Sequence, residues 1–175
     1  MFDNIKSDIS RFSAGRVTVR IFLRCLLSQG FQAILVYRFF HWLRSKNVPA
    51  QPFRFIVERF IEITTGISIP AECKIGKGFR IHHFGGIIFH PTVRLGDNCT
   101  VYHEVTIGDR GGYGGAAKIG NNVLIGAGAK IIGEITIGDN CIIGANTVLT
   151  KDLPFNYLAV GNPCQLRPRS LENDE

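Results

Sequence analysis

Residues 118–151 read KIGNNVLIGAGAKIIGEITIGDNCIIGANTVLTK, and an aliphatic side chain recurs at every sixth position of this stretch. The recurring positions are Ile119, Ile125, Ile131, Ile137, Ile143 and Leu149. Glycine directly follows several of them, at Gly120, Gly126, Gly138 and Gly144. A period of six fits neither an amphipathic helix nor the two-residue alternation of a long strand. It predicts a hexapeptide parallel β-helix, a solenoid of short strands and tight turns whose aliphatic side chains point inward.

The same period extends toward the N-terminus. It includes Leu95, Val101 and Ile107, then Tyr113 in the same register, and an earlier run at Ile69, Ile75, Ile81 and Ile87. Because eight residues separate Ile87 from Leu95, we expect two extra residues near Phe89–Pro91. Three hexads form one triangular coil, so residues 69–153 predict about five coils.

The positions two before each aliphatic residue are also expected to point inward and to be small. They include Cys73, Cys99, Val105, Val123, Ile135 and Cys141. The cysteines there are predicted to be apolar fillers and not reactive groups. Five cysteines with irregular spacing form no disulfide framework, and residues 1–14 lack the apolar core of a signal peptide. We therefore expect a cytoplasmic, reduced protein.

The chain divides into an N-terminal helical segment at 1–66, a β-helix domain at 67–153 and a C-terminal extension at 154–175. The apolar spacing predicts helices within 17–46 and at 53–63 that pack on one another and cap the open end of the solenoid. Residues 109–118 contain four glycines and are predicted to form a loop outside the solenoid wall that takes part in binding.

The formal charge of +6 is carried entirely by the N-terminal segment. Residues 1–66 contain ten Lys and Arg against four Asp and Glu, whereas residues 67–175 contain ten of each. This charge is consistent with a solvated helix face or with a peripheral membrane contact, in which Arg38, Arg44, Lys46 and Arg54 alternate with aromatic residues. The second interpretation places the protein at the inner face of the membrane.

Further motif residues surround the repeat. They are KIGKG at 74–78, His83, Gly86-Ile87, VTIG at 105–108, KIG at 118–120, IGAGAK at 125–130 and GNP at 161–163. This run resembles the serine acetyltransferase branch of the hexapeptide-repeat acyltransferases, and the short chain is similar to the O-acetyltransferases of polysaccharide assembly. The resemblance implies a left-handed β-helix, a homotrimer with active sites between subunits, and acetyl-CoA as the acyl donor.

The resemblance also assigns roles to residues of the site. It implies donor contacts at Gly108, Gly126, Ala127 and Ala145, with Lys151 near the nucleotide phosphates. It places the catalytic histidine at His83. An imidazole suits this role because a base with a pKa near neutrality can take the proton of an acceptor hydroxyl.

Three positions depart from the family pattern. His82 stands where the family has an aspartate, Ser68 replaces an aspartate that orients the catalytic imidazole, and Ala116-Ala117 replace a histidine that helps to hold serine. Because an ammonium buried without an acidic partner is costly, we expect a neutral acceptor, a sugar hydroxyl of an exopolysaccharide or capsule precursor. L-serine is the alternative.

The neutral acceptor would be recognised by hydrogen bonds and ring stacking. His82, next to the base, is predicted to take part in catalysis. Tyr102, His103 and Tyr113 are predicted to bind the acceptor.

Other functions receive less support. The γ-type carbonic anhydrases share the β-helix but need three zinc-binding histidines with a spacing that this chain lacks, so no metal is expected. A non-catalytic trimeric scaffold would neither bind nor hydrolyse acetyl-CoA. The basic residues form no nucleic-acid-binding motif, so no nucleic-acid partner is expected.

Overall fold

A computed structural model describes residues 1–12, 18–112 and 114–169 of the chain. Four helices precede the solenoid in these residues: α1 Phe2–Ser10, α2 Val19–Leu27, α3 Gln29–Ser45 and α4 Gln51–Thr65. Helix α4 ends at Gly66, whose φ of 65° is favoured by glycine and directs the chain into the first strand.

Short parallel strands follow and form three walls. Wall A contains β1 Ile67–Ser68, β4 Ile87–Phe89, β7 Thr106–Gly108, β10 Lys130–Ile132 and β13 Val148–Leu149. Wall B contains β2 Lys74–Ile75, β5 Arg94–Leu95, β8 Lys118–Ile119 and β11 Thr136–Ile137. Wall C contains β3 Arg80–Ile81, β6 Thr100–Val101, β9 Leu124–Ile125, β12 Ile142–Ile143, β14 Tyr157–Val160 and the antiparallel β15 Gln165–Pro168. The predicted fold class, a left-handed parallel β-helix behind a helical segment, is confirmed.

The register shows why the period is six. Ile107 pairs with Ile131 and Ile131 with Leu149, so equivalent side chains stack on one another inside the solenoid. Every repeat position that the structure describes is buried, and so are the predicted inward positions two residues earlier. Burial raises the pKa of the Cys73 thiol to about 12 and that of Cys99 to about 11, which fits their role as apolar fillers.

The predicted place of the two extra residues is wrong. Phe89 pairs with Ile107 and lies six residues before Leu95, whereas eight residues separate Ile81 from Phe89. The extra residues therefore lie in the turn at 82–86. The six-residue spacing selects Ile87 in place of Phe89 because Ile87 is also aliphatic and buried. In the structure Ile87 pairs with Ile67.

Helix α3 covers the open end of the first coil. Its Ala33, Ile34 and Tyr37 are buried and belong to the same apolar core as the solenoid. The Tyr37 hydroxyl donates to the Cys73 carbonyl at 3.0 Å and accepts from the Ile75 amide at 3.1 Å. The helices thus satisfy backbone groups that a bare coil end would expose.

Helix α1 was not predicted, since residues 1–14 are mostly polar. It contributes Asp8, which is fully buried and pairs with Arg38 of α3 at 3.0 Å. Arg38 also donates to the Ile75 carbonyl at 2.7 Å, and the Phe79 amide donates to Asp8 at 2.8 Å. A buried ion pair whose remaining hydrogen-bonding groups are satisfied thus joins α1, α3 and the first coil.

No single helix of the described segments is long and apolar enough to cross a membrane. Only α2 and α3 taken together reach that length and composition, and they are bent by 87° at the break between them.

Candidate functional site

Each coil passes from wall C to wall A through a tight turn, and the four turns at 82–86, 102–105, 126–128 and 144–146 stack in one row. We call this row the histidine corner. Backbone hydrogen bonds join its steps: Glu104 N–H to the Gly85 carbonyl at 2.9 Å, Gly128 N–H to His103 at 2.9 Å, and Asn146 N–H to Ala127 at 2.8 Å.

The first step of the corner has an unusual backbone. His83 has φ 64°, a left-handed conformation that few non-glycine residues adopt, and the glycines at 85 and 86 also have positive φ. A Cβ added at Gly66 would lie 2.9 Å from the Gly85 Cα, so the end of α4 packs directly on this turn. The two extra residues thus form a protruding turn held between α4 and the next coil, and this turn presents His83 to solvent.

Four aromatic rings cluster at the first two steps. The His82 ring stacks on Tyr102 with 4.7 Å between centroids, and the His83 ring meets His103 edge-on at 5.7 Å. The Nδ1 atom of His103 is buried without a hydrogen-bond partner among the described residues. The structure thus brings together four of the residues predicted for catalysis and acceptor binding.

The pKa of His82 is lowered, first by burial and then by electrostatic repulsion from its basic neighbours Arg80, His83 and Arg11. His82 is therefore neutral at neutral pH and can donate or accept a hydrogen bond. It supplies neither the negative charge of the aspartate that it replaces nor a fixed positive charge.

The predicted donor residues are divided between two corners. Gly126, Ala127 and Ala145 lie on the histidine corner, where the hydrogen bonds of the described residues leave the N–H groups of both alanines without an acceptor. Small side chains and free N–H groups fit an extended chain carrying amide groups, such as the pantetheine arm of acetyl-CoA.

Gly108 and Lys151 lie at the corner between walls A and B, which also carries the loop at 109–117. Lys118 itself belongs to β8 and not to the loop. Arg110 of the loop donates to the Thr150 carbonyl, directly beside Lys151. Tyr113 lies outside the described residues.

Two features next to the histidine corner were missed in the sequence. Lys130 donates to the Glu104 carbonyl at 2.6 Å and to Thr106 at 3.2 Å, which fixes the second step of the corner. Ser68 donates to the carboxylate of Glu62 on helix α4, where wall A leaves the corner. The repeat register would have placed Lys130 beside Thr106, whereas no sequence spacing connects Glu62 with Ser68.

Comparisons with known proteins agree with this architecture. Residues 116–151 match the family model "Bacterial transferase hexapeptide (six repeats)". The serine acetyltransferase of Helicobacter pylori strain 26695 is 40% identical over 142 residues, which cover 78% of this chain and 80% of that protein. The chain belongs to the serine acetyltransferase family.

Two solved structures of the family are similar over nearly the whole chain. Soybean serine acetyltransferase complexed with serine has a TM-score of 0.84 and 33% identity, covering 94% of this chain and 68% of that one. Serine acetyltransferase from Brucella abortus strain S19, in complex with coenzyme A, has a TM-score of 0.84 and 27% identity, covering 97% and 68%.

Family membership confirms the predicted enzyme class, an O-acetyltransferase that uses acetyl-CoA. The predicted sugar or polysaccharide acceptor is wrong, because the curated relatives are serine acetyltransferases and the soybean enzyme was solved with serine. The prediction relied on the absence of acidic residues at matched positions. In the structure, Ser68 at one of those positions donates to the carboxylate of Glu62, which belongs to helix α4 outside the matching motifs.

Proposed function

We propose that this protein transfers the acetyl group of acetyl-CoA to the hydroxyl of L-serine. The observation that carries the proposal is the histidine corner, which aligns His83 with Ala127 and Ala145 in a chain of the serine acetyltransferase family. The proposed base and the residues proposed to bind acetyl-CoA thus lie in one continuous row of turns.

His83 acts as the general base in this proposal. Its imidazole takes the proton of the serine hydroxyl as that oxygen attacks the thioester carbonyl. The imidazolium then gives the proton to the sulfur that leaves, and O-acetylserine is released. Free N–H groups at the corner are suited to stabilise the negative charge that develops on the carbonyl oxygen.

Binding of serine requires a carboxylate for its ammonium group. Glu104 forms part of the histidine corner, and Glu62 lies at the adjacent edge of wall A through its bond with Ser68. We propose that one of these two carboxylates receives the ammonium. Glu62→Gln or Glu104→Gln then raises the KM for serine, whereas Asp139→Asn, at the corner between walls B and C, leaves it unchanged. Unaltered KM values in both variants would exclude this recognition.

The division of the donor residues supports a homotrimer with sites between subunits. Lys151 and the loop at 109–117 lie at a different corner of the triangular solenoid from His83. A neighbouring copy that packs its loop corner against the histidine corner completes a site that a single chain leaves open.

We also propose a cytoplasmic location, which the five free cysteines support.

The direct test measures thiol release from acetyl-CoA with L-serine as the acceptor and identifies the product by mass spectrometry. We expect turnover with L-serine and a loss of about 10²-fold or more in His83→Asn, because Asn tolerates the left-handed backbone but provides no base. His41→Asn is the matched control, since His41 lies on helix α3 and bonds with the Ala71 carbonyl. Full activity in His83→Asn would refute the assigned base, and coenzyme A binding without turnover on serine would refute the acceptor.

A further inference from the structure

Helix α2 exposes an apolar face. Val19, Phe22, Leu23 and Leu27 are 77%, 42%, 55% and 80% exposed, respectively. Their spacing places them on one side of the helix. The opposite side, which includes Cys25, packs into a small apolar cluster with α1 and α3. Helix α2 thus has one face for the protein and a second apolar face without a partner in the described chain.

The sequence on both sides of this face carries charge of one sign. No Asp or Glu occurs between Asp8 and Glu58, whereas eight Lys and Arg fall in that interval. Arg20 and Arg24 lie on α2 beside the apolar face, and neither forms an ion pair with any residue that the structure describes. Apolar side chains flanked by unpaired arginines are the pattern of a helix that lies in the plane of an anionic membrane surface.

Two of the arginines that the sequence suggests for membrane contact are held in ion pairs within the protein. Arg38 is buried with Asp8, and Arg54 pairs with Glu58 at 2.8 Å and Glu72 at 2.7 Å. Helix α3 is likewise committed to the solenoid through its buried Ile34 and Tyr37, so it is not available to cross a bilayer. Helix α4 also exposes apolar side chains, among them Phe55 and Ile63, but both of its arginines pair with acidic residues. Helix α2 instead combines an exposed apolar face with two arginines that form no ion pair with any described residue.

A second copy of the chain is a poorer occupant of the face. A symmetric contact between two α2 helices would bring Arg20 and Arg24 of both copies together without any acidic residue of that region to balance them. Anionic headgroups provide that balance, and acyl chains cover the four apolar side chains.

We propose that α2 docks the enzyme on an anionic membrane surface, with Phe22, Leu23 and Leu27 inserted among the lipids and Arg20 and Arg24 at the headgroups. The solenoid stays in the aqueous phase. The proposal is independent of the acceptor, because α2 contributes no residue to the histidine corner.

The test is sedimentation of the full-length protein with lipid vesicles. One set contains phosphatidylcholine alone, and the other contains about 30% phosphatidylglycerol, which gives the vesicles a negative surface potential. We expect binding only to the anionic vesicles, and release in high salt. Leu23→Gln with Leu27→Gln should lower the partition coefficient about ten-fold or more, and Arg20→Gln with Arg24→Gln about five-fold for each arginine removed. Circular dichroism checks that each variant is folded.

Matched controls are provided by the solenoid. Phe155→Gln removes an aromatic side chain that is 64% exposed, and Lys74→Gln with Arg94→Gln removes two exposed cations of wall B. Both controls should bind like the wild type. Equal binding to neutral and anionic vesicles, or unchanged binding in both α2 variants, would overturn the proposal. A lipid-independent oligomer that Leu23→Gln with Leu27→Gln dissociates would show that a second copy covers the face, and would also overturn it.

Discussion

The imidazole of His82 lies nearly parallel to the phenol ring of Tyr102, with 4.7 Å between the centroids and 8° between the planes. The two residues belong to consecutive coils, so the stack fixes the side chain that immediately precedes the proposed base. His83 is itself exposed and meets His103 edge-on. The order of the first step of the corner therefore depends on ring contacts with the second step.

Loss of the Tyr102 ring should disturb the turn that holds His83. Tyr102→Leu removes the stack and is expected to destabilise the protein by about 1–2 kcal/mol and to lower kcat for serine acetylation. Tyr102→Phe keeps the ring without the hydroxyl and should behave like the wild type in urea unfolding and in kcat. Equal values for the two variants would mean that the stack does not position the base.

The lowered pKa of His82 predicts a dependence of stability on pH. The folded protein holds His82 neutral, whereas the unfolded chain protonates it near the ordinary histidine pKa of about 6.5. As the pH falls below that value, the unfolded state binds more protons and the free energy of unfolding decreases, until the pH passes the lower folded-state pKa.

His82→Phe keeps an aromatic ring on Tyr102 but cannot titrate. Urea unfolding between pH 7.5 and 5, a range of about one unit or more on each side of the ordinary pKa, should show a smaller loss of stability in this variant than in the wild type. His90→Phe, at another corner, controls for the removal of a histidine. Identical pH profiles of His82→Phe and the wild type would contradict the lowered pKa.

The fold could be predicted from the sequence because the solenoid repeats one physical requirement. Each sixth side chain, such as Ile125 or Ile131, enters the same core, and the register Ile107 to Ile131 spans the loop without disturbing the stack. Two extra residues were misplaced because Ile87 is aliphatic and buried in either register. The six-residue spacing therefore does not predict the protruding turn that carries His83.

The remaining misses are contacts between segments that no repeat connects. Asp8 in a polar stretch gave no sign that it would be buried against Arg38, because the reason lies in the backbone groups of the first coil. Glu62 likewise reaches Ser68 only once α4 packs on wall A. The motif positions alone predict the wrong acceptor, because a carboxylate near the site can come from an element outside the motif.

Gly126 should be the less replaceable of the two glycines predicted for donor binding. A Cβ added at Gly126 would lie 2.7 Å from the Ala145 backbone nitrogen, whereas at Gly108 the nearest atom would be 3.8 Å away. Gly126→Ala therefore forces two steps of the histidine corner apart and is expected to cost about 1–3 kcal/mol and to raise the KM for acetyl-CoA. Gly108→Ala should leave both quantities near the wild type. Thermal unfolding and donor titration measure them, and a tolerant Gly126→Ala would exclude a close fit between these coils.

The buried ion pair between Asp8 and Arg38 should contribute far more to folding than an exposed pair on the same helix. Arg38→Met leaves the Asp8 carboxylate buried without its cation and removes donors to the carbonyls of the first coil, so a loss of about 3–5 kcal/mol is expected. Arg44→Met removes a side chain that is 55% exposed and 3.4 Å from Glu72, and should cost less than about 1 kcal/mol. Urea unfolding of both variants provides the comparison. Equal effects of the two substitutions would show that α1 and α3 do not close the end of the solenoid through this pair.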